Sequence, residues 1–444
     1  MKTPDQQAPA TSLQDRAQSR RRERSRPRFR RMSPIFRLLA ILGPGIIAAN
    51  AGNDAGGVAT YSSAGASYGY NLLWALAITA VFVGIVQEMC ARMGAVTGKG
   101  LSDLIREQFG VRWTVLAMLA LLVANTGVTI SEFIGIAASV QVLADDPYTP
   151  LIYLVVPLSG LILWWLVTRG TYRRVEIVFL IISLGFLAYI PAAFAAHPSW
   201  HEVAKGFIAP RLSMDANYWP TTAALVGTTL SPYMLFYLQS AVADKGIRME
   251  EYVYEKVDVY SSTIFSNIIS AFMIIATGAT LFVAHQVVNT AADAAFALRA
   301  FAGQYASLLF GLGLFGASLL AGAVLPLTTA YGISEAFGFE RGVSRSFREA
   351  PVFQSIFTGM IVLGVIVSLI PGLPFIQVLI ILQDVNAAMM PILLVFVILL
   401  INNRRLMGRR VNKTASNILA WITTISVTFL VVLWLLNAIF GVAI

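Results

Sequence analysis

The chain has 444 residues, of which 57% are hydrophobic and only 12% are charged. Soluble domains carry about 25% charged residues, so this composition excludes an ordinary soluble protein and indicates many membrane-spanning segments. The net charge of +9 does not indicate nucleic-acid binding, because the basic residues lie in an N-terminal tail and short loops, where they set membrane topology. A single cysteine, Cys90, excludes an intrachain disulfide framework and a thiolate metal cluster.

The chain begins with a polar, arginine-rich stretch that lacks the apolar core of a signal peptide, and residues 1–34 are predicted to form a disordered basic cytoplasmic tail. About eleven apolar stretches follow, each near the spanning length of about 20 residues. They run approximately Leu38–Ser67, Leu72–Met93, Trp113–Leu143, Leu151–Val167, Val175–Phe194, Thr221–Val242, Val259–Val283, Tyr305–Ala336, Val352–Ile370, Pro374–Ile401 and Ala415–Phe440.

Lysine and arginine are concentrated in every second loop, which is the pattern of cytoplasmic loops. With the basic tail inside, an odd number of spans places the C-terminus outside. We therefore expect a multi-pass protein of the plasma (inner) membrane, with a cytoplasmic N-terminus and an extracellular C-terminus. The lipid bilayer is the partner that this implies, and no obligate protein partner is evident.

The first apolar segment contains the run Gly52-Asn53-Asp54-Ala55-Gly56-Gly57 near its centre. Glycine adopts unusual backbone angles without penalty, so the helix is predicted to unwind here. In hydrocarbon, unwound backbone survives only where it is buried in protein or lines a cavity, and a carboxylate at that depth is by default functional. The alternative is a helix kink in which Asp54 makes a local hydrogen bond.

The sixth segment repeats this feature with the run Gly227-Thr228-Thr229-Leu230-Ser231-Pro232. Pro232 has no N–H and disfavours a continuous helix, so a second break is predicted. Two broken helices, five segments apart, are typical of inverted-repeat transporters whose substrate lies at mid-membrane. The predicted organisation is a first repeat over residues 35–201, an outer loop and second repeat over 202–403, and an inner loop with an eleventh segment over 404–444.

The run GPGIIAANAGNDAGGVATYSSAGASYGYNLLW resembles the first segment of the NRAMP divalent-metal transporters, and ARMGAVTGKGLSDLIREQFG, RGTYRRVEIVFL and RRLMG extend the similarity. The resemblance implies an all-α polytopic membrane protein of the LeuT type. That fold has two inverted five-helix repeats, broken first and sixth helices, and here an eleventh helix. Where the family typically has Asp-Pro-Gly-Asn, this chain has Asp54, Ala55, Gly56 and Gly57.

In the sixth segment the family pattern is Ala-x-x-Met-Pro-His, and this chain has Ser231 in place of the methionine. The lost thioether is the soft ligand that favours transition metals, so the remaining oxygen ligands suit magnesium, calcium and manganese. The pattern is most similar to the NRAMP-related magnesium transporters of prokaryotes. Met234, Met389 and Met390 are expected to pack in the core. The residues expected to bind the metal ion are Asp54, Gly57, Thr228, Ser231, Gln383 and Asn386.

Two substitutions bear on proton movement. The family uses an Asp in an Asp-x-x-Glu pattern of the third segment together with sixth-segment histidines. This chain has Thr129 at the Asp position, with Glu132 retained, and Tyr233 and Gln239 at the histidine positions. None of these replacements titrates near neutral pH, so they form a poor proton path. Two interpretations of Glu132 stay open: it makes a structural hydrogen bond, or it takes part in transport.

The expected function is therefore a facilitator that takes up Mg²⁺ and Mn²⁺ by alternating access without proton coupling. A proton-coupled Mn²⁺ or Fe²⁺ importer is the alternative; a sodium-coupled amino-acid carrier and a non-transporting membrane sensor are less favoured. A P-loop lysine motif is absent, so transport driven directly by ATP is not expected. No hydrolytic machinery accompanies these sites, and no catalytic residues, cofactor or enzymatic activity are expected. Among other polar residues, Asp384 is expected to pair away from Gln383, Glu88 to pair with Arg92, and Asn53 to be a weaker ligand candidate than Thr228.

Overall fold

A computed structural model describes residues 53–169, 181–182, 184–209, 211–213, 215–247, 249, 251–343 and 345–440. The chain divides into two units, Met1–Gly43 and Pro44–Ile444, and every described residue belongs to the second. The predicted tail, residues 1–34, lies outside the described residues. So do the first half of the first segment and part of the fifth.

The described residues are predominantly helical, and the helices are numbered here in chain order. They are α1 Ala55–Tyr68, α2 Leu73–Thr97, α3 Leu101–Ala144, α4 Ile152–Thr168, α5 Tyr189–Ala195, α6 Trp200–Ile208, α7 Tyr218–Thr229, α8 Pro232–Asp244, α9 Tyr252–Thr277, α10 Ala291–Phe296, α11 Arg299–Ala302, α12 Ala306–Phe337, α13 Pro351–Ser368, α14 Phe375–Ile401, α15 Arg404–Met407 and α16 Thr414–Phe440. Short 3₁₀ turns cover Leu184–Ala188, Gly303–Tyr305 and Gly408–Arg410, and α9 continues as a π-helical turn, Gly278–Phe282.

Seven helices of the described part of the chain are long and apolar enough to cross a membrane. The other predicted segments differ from these for identifiable reasons. The first and fifth lie partly outside the described residues, and the fourth, α4, has 17 residues. The sixth is divided into α7 and α8. The helix bounds otherwise follow the apolar stretches within a few residues, apart from the starts of α9, at Tyr252 rather than Val259, and of α3. That helix begins at Leu101, before a non-helical Gly110 with φ +76°.

The break in the sixth segment follows directly from its sequence. Helix α7 ends at Thr229, Leu230 has non-helical backbone angles, and Ser231 is extended. Pro232 then begins α8 at the first helical position, where its missing N–H costs nothing. In the first segment, Asp54 has ψ 179° and precedes the first residue of α1. Both α1 and α8 therefore begin at mid-segment, as predicted for two broken helices.

Small residues allow the broken segments to approach their neighbours closely. A Cβ added at Gly227 of α7 would lie 2.2 Å from the carbonyl oxygen of Gln383 in α14. A Cβ added at Gly135 of α3 would lie 2.4 Å from Cβ of Ala55 and 2.4 Å from Oγ of Ser318 in α12. Such contacts between small residues are the usual means of packing helices in membranes. They bring α1, α3, α7, α12 and α14 together around the two breaks.

The eleventh segment, α16, attaches to α14 through polar contacts. Asn402 and Asn417 exchange amide hydrogen bonds of 2.7 and 2.8 Å at one end. Nearer the middle of α14, the buried Asp384 carboxylate faces the Trp434 side chain of α16. Asp384 thus points away from Gln383 towards another helix, which agrees with the expectation from helix geometry. The expected Glu88–Arg92 pair also forms, with a separation of 3.2 Å.

Candidate metal-ion site

Asp54 caps the N-terminus of α1 and is 3% exposed. Its Oδ1 accepts a hydrogen bond of 2.7 Å from the backbone N–H of Gly57. The first N–H groups of a helix lack partners within the helix and carry partial positive charge, so they stabilise a carboxylate at this position. Gly57 therefore orients the carboxylate through its backbone N–H and offers no side chain of its own.

Asn386 connects α14 to the break in the sixth segment. Its Nδ2 donates to the carbonyl oxygen of Gly227 at 2.8 Å, to Oγ of Ser231 at 3.0 Å and to Oε1 of Gln383 at 3.3 Å. The Gly227 carbonyl lies in the last turn of α7, where acceptors lose their partners within the helix. The Ser231 hydroxyl keeps its own hydrogen for another acceptor.

Thr228 lies in the last turn of α7, just before the break, and completes the group. Its hydroxyl faces the Asp54 carboxylate without making a hydrogen bond of ordinary geometry. Buried polar atoms are normally paired with protein or with water. In the described part of the chain, three atoms of the predicted site residues lack a partner: two oxygens, which can contact an ion or its water shell, and one amide nitrogen, which can only donate a hydrogen bond. They are Thr228 Oγ1, Gln383 Nε2 and Asn386 Oδ1.

The space next to Gly56 is filled rather than open. A Cβ added to Gly56 would lie only 1.8 Å from Nε2 of Gln383, so the amide group lies directly over this glycine. The small residue at position 56 therefore does not widen the cavity in this conformation. The missing side chain of Gly56 instead provides the volume that the amide occupies.

Asn53 is held away from the other predicted ligands. Its Nδ2 donates to Oγ of Ser266 at 3.2 Å, and its Oδ1 accepts from Ser270 at 3.1 Å. Both serines belong to α9, more than 200 positions later in the chain. These two hydrogen bonds therefore attach Asn53, and with it the backbone just before Asp54, to α9. No local sequence signal indicates this role, since the serines are ordinary residues of an apolar helix.

The methionine sulfur nearest in sequence to Ser231 is directed elsewhere. Met234 is buried with Val128, Tyr233, Ala321 and Leu325, and its Sδ accepts a hydrogen bond of 3.6 Å from Gln87 of α2. Met389 and Met390 belong to an apolar cluster formed mainly by other helices. These placements agree with the expected packing roles.

The positions that the resembled family uses for proton movement hold neutral side chains in this chain. Thr129 donates to the carbonyl oxygen of Asn125 at 2.7 Å, and Gln239 donates to that of Lys99 at 3.1 Å. The buried hydroxyl of Tyr233 has no partner among the described residues. The three histidines of the chain, His197, His201 and His285, are exposed.

Charged side chains are scarce around the two breaks. Glu132 of α3 is fully buried, and its Oε2 lies 3.4 Å from the backbone nitrogen of Ala55. Nowhere in the described residues do three or more His, Cys, Asp or Glu side chains lie close enough to hold a metal ion together. A cation between the breaks would therefore contact carboxylate, hydroxyl, amide and backbone oxygens.

The family profile described as "Natural resistance-associated macrophage protein-like", named Nramp, matches residues 45–437 of the chain. The divalent metal cation transporter MntH of Deinococcus radiodurans is 27% identical over 410 residues, which cover 88% of each protein. The transporter of the same name from Yersinia pestis is 29% identical over 400 residues, covering 86% of this chain and 91% of that protein.

A manganese transporter of Eremococcus coleocola, solved with an aromatic bis-isothiourea substituted compound, has a TM-score of 0.70 at 22% identity over 90% of this chain and 86% of its own. Mhp1, a nucleobase-cation-symport-1 family transporter, has a TM-score of 0.56 at 15% identity over 89% and 93%. Identities this low establish the fold alone. They confirm the predicted all-α LeuT-type fold with two inverted repeats and an eleventh helix.

The contact between Gly56 and Gln383 gives a first prediction. Gly56→Ala is expected to displace the Gln383 amide, because its new methyl group and Nε2 cannot both occupy this space. We expect slower ion uptake into proteoliposomes with unchanged protein yield. The matched control is Gly359→Ala in α13, where an added Cβ meets nothing within 4 Å. Equal uptake by the two variants would show that the amide position is unimportant.

Proposed function

The chain belongs to the Nramp family of divalent metal cation transporters, and from that premise we propose that it takes up Mg²⁺ and Mn²⁺ without proton coupling. The ion would move by alternating access, down its electrochemical gradient, through a site between the two broken helices. We propose Asp54, Gly57, Thr228, Ser231, Gln383 and Asn386 as the residues of that site. Asp54 is its one anionic ligand, and Gly57 acts through its backbone.

The observation that carries this proposal is the chemistry of the groups around Ser231. The Ser231 hydroxyl is joined to Asn386, and the Met234 thioether is joined to Gln87 on another helix. Carboxylate, hydroxyl, amide and carbonyl oxygens suit hard cations such as Mg²⁺ and Mn²⁺, whereas Fe²⁺ and softer metals gain more from sulfur. A site built from these groups has no evident preference for a soft transition metal.

A site with one carboxylate cannot replace the water shell of Mg²⁺. Mg²⁺ dehydrates reluctantly and is usually bound with several of its waters. The unpaired oxygens of Thr228 and Asn386 can accept hydrogen bonds from those waters. We therefore propose that the ion passes largely hydrated and binds weakly, and that the Gln383 amide moves aside from Gly56 to admit it.

Neutral side chains along α3 and α8 support transport without protons. Thr129 and Gln239 are engaged with backbone carbonyls, and Tyr233 is a phenol. None of these groups exchanges protons near neutral pH. A membrane potential of 100 mV, negative inside, supplies about 4.6 kcal/mol for two charges, which is enough to drive uptake of an abundant ion.

The alternative function is a proton-coupled importer of Mn²⁺ or Fe²⁺. It is favoured by the retained Glu132 and by the similarity to proteins named as divalent metal and manganese transporters. A sodium-coupled amino-acid carrier is less favoured, because Asp54 occupies the helix N-terminus that would have to bind a substrate carboxylate. A non-transporting sensor is separated from all of these by flux measurements.

The topology belongs to the same proposal. We place the chain in the plasma membrane with a cytoplasmic N-terminus and an extracellular C-terminus, from the distribution of loop charges. Residues 1–34 would form a basic tail, 35–201 and 202–403 the two repeats, and 404–444 the inner loop and last helix. Cysteine labelling from each side of the membrane tests this arrangement.

Asp54→Ala tests the proposed site. Removing the one anionic ligand is expected to abolish saturable Mg²⁺ and Mn²⁺ uptake into proteoliposomes at equal protein incorporation. Glu340→Ala, which removes an exposed carboxylate, is the control and should transport normally. Undiminished uptake by Asp54→Ala would refute the assignment.

Ser231→Met tests the soft-ligand argument. A restored thioether should shift competition between the two ions towards Mn²⁺, since Mn²⁺ accepts sulfur more readily than Mg²⁺ does. Ser231→Leu is the matched control, because it adds similar bulk without sulfur. The argument fails if both variants have the same Mg²⁺-to-Mn²⁺ preference.

The absence of proton coupling can be measured directly. Liposomes that contain a pH dye are given a negative internal potential with valinomycin, and Mn²⁺ is added outside. Metal influx without internal acidification is the expected result, with a protonophore added afterwards to verify the dye response. Acidification that scales with Mn²⁺ influx and disappears in Asp54→Ala would establish the proton-coupled alternative.

A further inference from the structure

We propose that Glu132 is a positioning residue for ion transport. Its carboxylate accepts a hydrogen bond from the backbone N–H of Ala55. This contact holds the start of α1, and Asp54 with it, against α3. The two atoms, Glu132 Oε2 and Ala55 N, lie 3.4 Å apart inside the protein. The role requires an acceptor oxygen on residue 132 and an N–H on residue 55.

The surroundings of Glu132 consist of hydrogen-bond donors rather than cations. Ser131 donates to its Oε1 at 3.4 Å, and the Ser318 hydroxyl of α12 faces the carboxylate without making a hydrogen bond of ordinary geometry. No Lys, Arg or His side chain among the described residues forms a salt bridge with it. A buried carboxylate without a counter-charge is stabilised by the N–H and O–H groups that point at it.

The packing next to this contact leaves little freedom. Gly135, one turn after Glu132 on α3, is so close to α1 that an added Cβ would lie 2.4 Å from Cβ of Ala55. The same added atom would lie 2.4 Å from Oγ of Ser318. The glycine therefore brings the backbone of α3 against the first residue of α1, at the level where Glu132 reaches the Ala55 nitrogen.

Two carboxylates lie at the N-terminus of α1, and each accepts a hydrogen bond from a different backbone N–H. Asp54 accepts from Gly57, and Glu132 accepts from Ala55. Both N–H groups belong to the first turn, which has no partners within the helix. Because Glu132 faces the Ala55 donor, the backbone N–H that holds Asp54 is that of Gly57, which bonds to Oδ1.

The donor exists because residue 55 is not proline. The family pattern has Pro at this position, and proline has no N–H. Proline would nevertheless suit the backbone: position 55 is the first residue of the helix, and Asp54 has φ −69° and ψ 179°, which a following proline permits. Ala55→Pro would thus keep the helix start while its ring takes the place of the N–H that faces Glu132.

The experiment compares concentration-dependent uptake by proteoliposomes containing wild type, Glu132→Gln, Glu132→Leu, Ala55→Pro and the double variant Ala55→Pro/Glu132→Leu. Glutamine keeps an acceptor oxygen, so Glu132→Gln should retain KM and maximal rate within about twofold. Ala55→Pro and Glu132→Leu should each raise KM by about tenfold, the effect of losing one hydrogen bond to a charged group. The double variant should be no worse than the poorer single variant, because both remove the same contact.

Ala55→Gly is the matched control, since it changes the same residue but keeps the N–H, and it should behave as wild type. The inference is overturned if Glu132→Gln loses uptake as fully as Glu132→Leu, because the charge or proton would then matter rather than the acceptor. It is equally overturned if Ala55→Pro has the wild-type KM. Ala55→Pro and Glu132→Gln decide the question if Glu132→Leu does not fold, and the result holds for whichever divalent ion the wild type carries.

Discussion

The need to satisfy unpaired backbone groups inside the membrane underlies the central part of this structure. A continuous helix pairs its own N–H and C=O groups, whereas a helix that begins or ends at mid-membrane leaves several of them free. Here side chains provide the missing partners. Asp54 accepts from Gly57 at the start of α1, and Asn386 donates to Gly227 near the end of α7.

The partners of the broken helices come from distant parts of the chain, and this connects the two breaks to the surrounding helices. Asn53 is held by two serines of α9, and Ala55 faces Glu132 of α3. The Asn386 amide reaches both sides of the sixth-segment break from α14. A movement of α9, α3 or α14 would therefore alter the surroundings of Asp54 or Ser231 directly.

The sequence allowed the helix bounds and the breaks to be predicted, because apolar length, glycine and proline act locally. Gly227 and Pro232 indicated a break that the structure contains, and the spacing of Gln383 and Asn386 placed both on one face of α14. The contact of Gln383 with Gly56 and the hydrogen bonds that hold Asn53 to α9 were not predictable in this way. They depend on how closely α1 packs against α14 and α9, which is decided by the whole bundle.

The scarcity of charge at the breaks has a consequence for any cation that passes between them. A second carboxylate as an additional ligand would strengthen binding but would also slow release, since the attraction between opposite charges grows in a medium of low dielectric constant. Glu132 is present at this level, yet its oxygens face the Ala55 N–H and the Ser131 hydroxyl. Engaging Glu132 with the helix terminus leaves Asp54 as the single anion for the ion. One carboxylate with neutral donors favours brief binding of a hydrated dication, which suits a pathway driven by the membrane potential rather than by tight capture.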